Sequence, residues 1–180
     1  MTQSKRQALI VIDVQNDYFP EGRFPLWNTA TVLATTEAAI ASARARDIPI
    51  IIVQHVADGT KGPAPFFNAG TPGVAVHPAI LAAAPDAPVI IKTAADAFLH
   101  TQLEATLTQL GVEELLICGM MTQNCVTHTA ISRAADKYAV KVLGDCCTTV
   151  SQMLHLIALN ALSARIGILT STEIFSNPGA

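Results

Sequence analysis

Short apolar runs alternate with longer helical stretches along this chain, and this alternation limits its possible folds more than any other feature. Residues 8–14 and 48–53 are short and rich in β-branched side chains, which is typical of buried strands. Strands that alternate with helices of ten or more residues predict a parallel sheet covered on both faces. We therefore predict one α/β domain over residues 1–180, with a six-stranded parallel sheet in a three-layer α-β-α arrangement.

The same pattern predicts the bounds of the individual elements. Predicted strands cover residues 8–14, 48–53, 88–92, 114–118, 138–143 and 165–169. Predicted helices cover residues 28–47, 101–110, 126–136 and 152–163, and a glycine- and proline-rich loop covers residues 58–78. In the common Rossmann-like order, 3-2-1-4-5-6, strands one and four are neighbours, and ligands bind beyond the carboxyl ends of the strands.

Polar side chains stand at several of those carboxyl ends. Asp13 ends strand one, His55 follows strand two, Lys92 ends strand three, Cys125 lies just past strand four and Asp145 follows strand five. We therefore expect an aspartate, a lysine and a cysteine to meet in one pocket. Each also has an ordinary structural explanation, since an aspartate can cap a turn, a lysine can end a strand in solvent, and a cysteine is often a small buried hydrophobe.

Together these three residues have a definite chemistry. Cys125 sits at a predicted strand-to-helix turn, where a helix N-terminus lowers a thiol pKa, and Lys92 as a cation would also favour the thiolate. Asp13 could accept the thiol proton and return it to a leaving group. The expected oxyanion hole consists of the backbone N–H of Cys125 and that of one residue in 120–122, for which we choose Met121. This chemistry is hydrolysis of an amide or related carbonyl compound through a thioester, without a redox cofactor.

Composition narrows the functional classes. The 180-residue chain is 51% hydrophobic and 14% charged, with a net charge of −3 and no basic cluster, which argues against nucleic acid as a partner. No apolar run approaches the roughly 20 residues that span a bilayer, and residues 1–7 are too short and polar for a signal peptide. The spacing of the four cysteines favours reduced thiols in a cytoplasmic protein.

Three sequence blocks resemble a known family. Residues 11–19 read VIDVQNDYF, Lys92 is followed by Ala97 and Phe98, and residues 118–130 read CGMMTQNCVTHTA. In this order and spacing they resemble the signature blocks of the isochorismatase-like cysteine hydrolases, which include nicotinamidases and N-carbamoylsarcosine amidase. The resemblance implies proton transfer by Asp13, a cation at Lys92 and a nucleophile at Cys125. It also implies a homodimer or homotetramer, and a non-proline cis peptide between residues 120 and 121.

Some positions depart from the family pattern. Asp96 stands where many relatives have serine. Its carboxylate could contact a polar substrate, but we expect it to cap the following helix. Nicotinamidases hold a divalent metal with an aspartate and histidines after strand two. Here that region offers Gln54, His55 and Asp58, with His77 distant, so we predict no metal and no other cofactor.

The predicted substrate pocket consists of Phe19, His55 and Met120, and Phe66 and Phe67 lie in loops near its expected mouth. His155 is expected on a helix surface.

We therefore predict a cofactor-independent cysteine hydrolase that cleaves a C–N bond of a small amide, carbamoyl or imide-like substrate. One alternative is an isochorismatase-type hydrolase that cleaves a vinyl ether without an acyl-enzyme. Another is a catalytically idle relative that serves in binding or assembly. The presence of Cys125 favours the amide reaction over the vinyl-ether reaction, because isochorismatases of this fold can do without the cysteine.

Overall fold

A computed structural model describes residues 5–176. Its sheet has the order β3-β2-β1-β4-β5-β6, with every neighbouring pair parallel, as predicted. The strands are β1 (Gln7–Ile12), β2 (Ile50–His55), β3 (Val89–Lys92), β4 (Glu114–Met120), β5 (Ala139–Thr148) and β6 (Gly167–Leu169). The helices are α1 (Thr29–Arg44), α2 (Pro78–Ala83), α3 (Leu103–Gln109), α4 (Thr127–Ala130), α5 (Gln152–Ser163) and α6 (Ser171–Ser176). Within residues 5–176, no helix is both long and apolar enough to cross a membrane.

The strand order reverses between β1 and β4, and this reversal distributes the helices. Crossover connections between parallel strands are right-handed, so α1 and α2, which connect β1 to β3, lie on the face opposite α4 and α5, which connect β4 to β6. α1 packs against α2 and α6. All residues of β4 are buried, because this central strand is covered on both faces.

The central strands β1 and β4 approach each other very closely near their carboxyl ends. Gly119 has a φ of 120°, and a Cβ atom built on it would lie 2.0 Å from the carbonyl oxygen of Ile12. Only glycine fits this position, both for its backbone conformation and for the contact. The close approach brings the end of β1 next to the turn that follows β4.

Two predicted elements differ from the structure. The helix predicted over residues 126–136 is wrong, because the chain instead forms a π-helical turn at Thr122–Val126, the short α4 and a 3-10 helix at Arg133–Lys137. The side chain of Ser132, in an extended conformation, accepts a hydrogen bond from the Ala134 N–H and starts the new helix. β5 also extends five residues past its predicted end.

Helix α2 was not predicted, although local signals were present. Pro78 occupies its first turn, where the missing N–H costs nothing, and His77 Nδ1 accepts a hydrogen bond from the Ala79 N–H. The loop predicted over residues 58–78 otherwise contains only short 3-10 turns at Gly59–Lys61 and Pro72–Val74. These connections follow the strand ends at which the polar side chains meet.

Candidate active site

Three polar side chains and one backbone carbonyl converge around the ammonium group of Lys92. Its Nζ lies 2.8 Å from Asp13 Oδ2 and 3.2 Å from Cys125 Sγ. It also lies 3.0 Å from His55 Nδ1 and 3.0 Å from the Ala94 carbonyl oxygen. The structure thus brings together the aspartate, lysine and cysteine that the sequence analysis assigned to one pocket.

Backbone geometry at the strand ends positions three of these side chains. Asp13 directly follows β1 with a φ of 52°, a left-handed conformation in which aspartate is enriched. Residues His55 and Lys92 face each other in the register of β2 and β3. The Gln15 amide fixes the backbone of His55, because its Oε1 accepts the His55 N–H at 2.7 Å and its Nε2 donates to the His55 carbonyl at 2.8 Å.

Cys125 lies in the π-helical turn between β4 and α4. The peptide bond between Met120 and Met121 is cis, as the family resemblance implied. The Val126 N–H donates to the Met121 carbonyl at 3.3 Å, and the Thr127 hydroxyl donates to the Thr122 carbonyl at 2.6 Å. These bonds close the turn around the cysteine.

The site is almost closed to solvent. The exposed fraction is 0% for Asp13, 1% for Lys92 and 2% for Cys125. Burial raises the pKa of the Cys125 thiol, the negative charge of Asp13 raises it further, and Lys92 lowers it by less than these two effects combined. The expectation of a depressed thiol pKa is therefore wrong, because a four-residue helix end and one cation do not offset burial beside a carboxylate. At neutral pH the resting site holds a thiol next to an Asp13–Lys92 ion pair.

His55 is neutral in this site. Burial lowers its pKa, and the positive charge of Lys92 lowers it further, against the opposing effects of Asp13 and the Ala94 carbonyl. Its Nδ1 faces the Lys92 ammonium, which can only donate, so the contact assigns the lone pair to Nδ1 and the proton to Nε2.

Asp13, His55 and Cys125 are the one group of three potential metal ligands with suitable spacing among residues 5–176, their ligand atoms lying within 4.8 Å of one another. The ammonium group of Lys92 lies within 3.2 Å of all three side chains. It already supplies the positive charge at their centre, so these residues do not fit a metal ion.

The polar side chains in the region that was compared with the metal site of nicotinamidases also bind elsewhere. Gln54 Nε2 donates to the Val74 carbonyl, while His77 Nδ1 is used at the start of α2.

The structure gives the surroundings of two of the predicted pocket residues. The Phe19 ring packs against His77 at a centroid distance of 4.3 Å, and Met120 is completely buried at the end of β4. The neighbouring residue, Tyr18, lies close to Asp13 and Cys125. Burial raises the pKa of Tyr18. This residue is also near enough to the triad of Asp13, Lys92 and Cys125 that the charges of Asp13 and Cys125 raise its pKa further. The sequence offered two adjacent aromatic residues, and only the 3-10 turn at Asn16–Tyr18 decides which one faces the site.

An aromatic cluster forms a wall beside His55. The Tyr18 ring lies 4.6 Å from that of Phe67 and 5.3 Å from that of Phe66, and Phe67 lies 5.9 Å from the His55 ring. The loop residues predicted near the pocket mouth thus pack against one another on one side of the site.

A buried carboxylate joins the two loops that supply these aromatic rings. Asp17 Oδ2 accepts the Phe67 N–H at 2.7 Å, and its Oδ1 accepts the Arg23 N–H at 3.2 Å. Gly73 packs directly on this carboxylate, because a Cβ atom there would lie 1.9 Å from Asp17 Oδ1. No pattern in the sequence indicated this role of Asp17.

The remaining polar residues considered from the sequence have structural contacts. Asp96 accepts hydrogen bonds from the Phe98 N–H and the Ser132 hydroxyl. The expected helix cap is wrong, because these residues form a turn and the following helix α3 begins only at Leu103. Asp145 binds the N–H and hydroxyl of Ser171 at the start of α6. The expectation for His155 is wrong, because it is buried and its Nδ1 lies 2.9 Å from the hydroxyl of Thr122.

Comparison with known proteins identifies relatives over nearly the whole chain. A family model described as an isochorismatase domain matches residues 7–174. The uncharacterized isochorismatase family protein YddQ of Bacillus subtilis is 32% identical over 178 residues, which cover 93% of this chain and 97% of YddQ. Maleamate amidohydrolase of Pseudomonas putida is 28% identical over 154 residues, covering 79% of this chain and 72% of that enzyme.

A solved structure shows the same fold. The isochorismatase family protein from Desulfovibrio vulgaris superposes with a TM-score of 0.86 at 25% identity, covering 95% of this chain and 97% of that one. The similarity therefore includes the strand ends that carry the four converging side chains.

Proposed function

The chain belongs to the isochorismatase family, whose relatives include amidases, and we propose that it is a cysteine hydrolase that cleaves the C–N bond of a small amide, carbamoyl or imide-like substrate. The observation that carries this proposal is the contact of one buried ammonium with both a carboxylate and a thiol, at 2.8 and 3.2 Å. A thiol that lies beside its own proton acceptor needs no separate base.

In the first half of the reaction Cys125 attacks the substrate carbonyl carbon. Its thiol proton passes to the Asp13 carboxylate, the C–S bond forms, and the carbonyl oxygen becomes an oxyanion. The backbone N–H groups of Met121 and Cys125 stabilise this oxyanion, and one such donor is typically worth about a hundredfold or more in rate. Asp13 then returns the proton to the leaving nitrogen as the C–N bond breaks, which leaves a thioester on Cys125.

Water completes the cycle. Asp13 accepts a proton from the water as the oxygen attacks the thioester carbon, and the proton then goes to the departing sulfur. The products are a carboxylic acid and an amine or ammonia. Lys92 lies 2.8 Å from the Asp13 carboxylate and balances the charge that moves between carboxylate and sulfur. The Nε2–H of His55 is a hydrogen-bond donor for the substrate in the same pocket.

Substrate must displace part of the cover to reach Cys125, since only 2% of this residue is exposed. The aromatic cluster of Tyr18, Phe66 and Phe67 belongs to the two loops that Asp17 joins. We expect these loops to open for entry and to exclude water during acylation. A site this enclosed favours small substrates.

The test is a panel of small primary amides, carbamoyl compounds and cyclic imides, assayed with the wild type and three variants. Cys125→Ala and Asp13→Asn should each lower kcat/KM by at least about a thousandfold. Cys146→Ala is the matched control, because this buried thiol on β5 contacts Ser171 and Thr36, and it should retain activity. Mass spectrometry of a rapidly quenched reaction should show the acyl group on Cys125.

Three results would change the assignment. Turnover of amides at the full rate by Cys125→Ala would exclude the thioester route. Cleavage of isochorismate by both the wild type and Cys125→Ala would instead favour vinyl-ether hydrolysis. A wild type that neither turns over any compound nor acquires an adduct at Cys125 with small electrophiles would support the idle relative.

A further inference from the structure

His55 is the most open of the side chains that meet at Lys92. Asp13, Lys92 and Cys125 are almost completely buried, whereas His55 is partly exposed. The Nδ1 atom of His55 lies 3.0 Å from the buried ammonium group. The partly exposed edge of the ring is therefore the edge that carries Nε2, and this edge borders the open side of the site.

The Nε2–H of His55 is available to a ligand. Because the Lys92 ammonium can only donate, Nδ1 accepts and Nε2 carries the ring proton. The Ala94 carbonyl is near enough to raise the pKa of His55, but this oxygen also accepts a hydrogen bond from Lys92 at 3.0 Å. Within residues 5–176 the ring N–H thus has no acceptor to itself, and a substrate can supply one.

The ammonium group of Lys92 has no N–H left for a substrate. It has three N–H bonds, and four neighbours already surround its Nζ. They are Asp13 Oδ2 at 2.8 Å, His55 Nδ1 and the Ala94 carbonyl at 3.0 Å, and Cys125 Sγ at 3.2 Å. Of the two nitrogen-bearing side chains in the site, His55 is therefore the one that can donate to a substrate.

The charges around His55 select against an anionic ligand. Among the described side chains, Lys92 is the one cation whose charge acts on His55, and it is already paired with Asp13 at 2.8 Å. The carboxylates of Asp13 and Asp17 both act on Tyr18, in the aromatic cluster beside His55. A carboxylate bound at the neutral imidazole would be enclosed without a cation, which costs much more than enclosing a hydrogen-bonded carbonyl group.

We infer that the substrate is an uncharged amide with a second carbonyl group, and that His55 recognises this second group through its Nε2–H. The inference rests on the proposed function and specifies its substrate class. A ligand atom of His55 and Cys125 Sγ lie within 4.8 Å of each other, so a linker of about one or two atoms between the two carbonyl carbons suffices for both contacts. A diamide with a single linking carbon has this shape.

The reaction of a symmetric diamide should stop after one cleavage. One water molecule is consumed, the C–N bond next to Cys125 breaks, and ammonia leaves. The other product keeps its second amide and gains a carboxylic acid, which is ionised at neutral pH. Because the site does not balance that charge, this product should leave without a second cleavage.

Three compounds with equal numbers of non-hydrogen atoms test the inference. Malonamide has the second carbonyl group, isovaleramide has an isopropyl group in place of that carboxamide, and malonamate has a carboxylate there. At pH 7 the wild-type kcat/KM for malonamide should exceed that for isovaleramide about tenfold or more, because isovaleramide leaves the Nε2–H unpaired. It should exceed that for malonamate about a hundredfold or more. Ammonia release should end at one equivalent of the malonamide supplied.

Two variants of His55 separate recognition from support of the fold. In His55→Asn the amide oxygen can still accept from Lys92 at the place of Nδ1, but no N–H reaches the place of Nε2. The malonamide-to-isovaleramide ratio of kcat/KM should therefore fall to about one, whereas a purely structural role would lower both rates and keep the ratio. His55→Gln, whose amide N–H reaches the place of Nε2, should keep the ratio above one. His100→Asn is the matched control with the wild-type ratio, because His100 is exposed with a φ of 57°, which asparagine adopts readily.

Protection of wild-type Cys125 against iodoacetamide gives a second measurement that does not need turnover. Malonamide in excess should slow the alkylation at a lower concentration than isovaleramide or malonamate. A different order, no protection by any of the three, or a kcat/KM ratio that His55→Asn leaves unchanged would overturn the inference. The expected order of protection without hydrolysis of any compound would contradict the proposed function and leave recognition by His55 standing.

Discussion

Replacement of Asp13 by asparagine should make Cys125 more reactive toward a simple electrophile while it abolishes amide hydrolysis. Alkylation and hydrolysis should change in opposite directions because the carboxylate affects the thiol in two ways. It accepts the proton during the proposed reaction, and its charge raises the pKa of the resting thiol. A variant that only disordered the site would lose both reactivities.

The magnitude follows from the geometry. An Asp13 oxygen and Cys125 Sγ lie within 4.8 Å of each other, so their charges repel by about 3.5 kcal/mol at an effective dielectric constant of about 20. Removal of that repulsion increases the thiolate fraction roughly 300-fold at a fixed pH. A less basic thiolate is also a weaker nucleophile, with a Brønsted coefficient of about 0.4–0.5. The net alkylation rate at Cys125 should therefore rise roughly 20-fold.

The assay measures alkylation by iodoacetamide from pH 6 to 9, with Cys125 followed by mass spectrometry. Because the pKa of Cys125 is raised, the wild-type rate should increase about tenfold per pH unit over this range. The rate–pH profile of Asp13→Asn should have the same slope but be displaced to lower pH. Asp96→Asn is the control, since its carboxylate binds the Phe98 N–H and the Ser132 hydroxyl. A rate for Asp13→Asn equal to or below that of the wild type would refute the electrostatic reasoning.

Two further predictions concern stability. Gly119→Ala should prevent folding or destabilise the protein by more than about 3 kcal/mol, because the new Cβ meets β1 backbone at 2.0 Å. Gly59→Ala, where no atom lies within 4 Å, should leave the thermal midpoint unchanged, and equal midpoints for the two variants would contradict this packing argument. Lys92→Met should cost about 3–5 kcal/mol in urea denaturation, because it leaves Asp13 buried without its cation. Addition of Asp13→Asn should recover much of that loss, and Lys137→Met, on the surface, should change little.

The parts of the site that the sequence predicted correctly depend on strand ends. Asp13, Lys92 and Cys125 each lie at or just after a short apolar run, and in a parallel sheet such positions share one edge. The apolar runs were readable because both faces of the sheet are covered, so the strands lack polar alternation. The placement of the triad therefore required only the strand order, and an error of one or two residues at a strand boundary did not change it.

Side-chain direction in loops was not predictable in the same way. Phe19 and Tyr18 are neighbours in sequence, and a single short turn points Tyr18 toward the triad and Phe19 toward His77. The position of this turn depends on Asp17, whose carboxylate is held by backbone N–H groups from residues 6 and 50 positions away. Such long-range partners leave no periodicity in the sequence. The same reason explains why His155, bound to Thr122 across the fold, resembled an ordinary helix residue.

The protonation state of Cys125 is the feature with the largest consequence for mechanism. Sequence motifs place a cysteine near a cation and a helix start, which by themselves favour a thiolate. The structure adds burial and a carboxylate beside the sulfur, and the two together reverse the direction of the pKa shift. A neutral thiol beside an Asp13–Lys92 ion pair gives the site no net charge, which suits a site with almost no solvent access. In the proposed reaction, nucleophilic sulfur then needs to form only when a carbonyl group is present to receive it, so a closed site would keep its cysteine unreactive between turnovers.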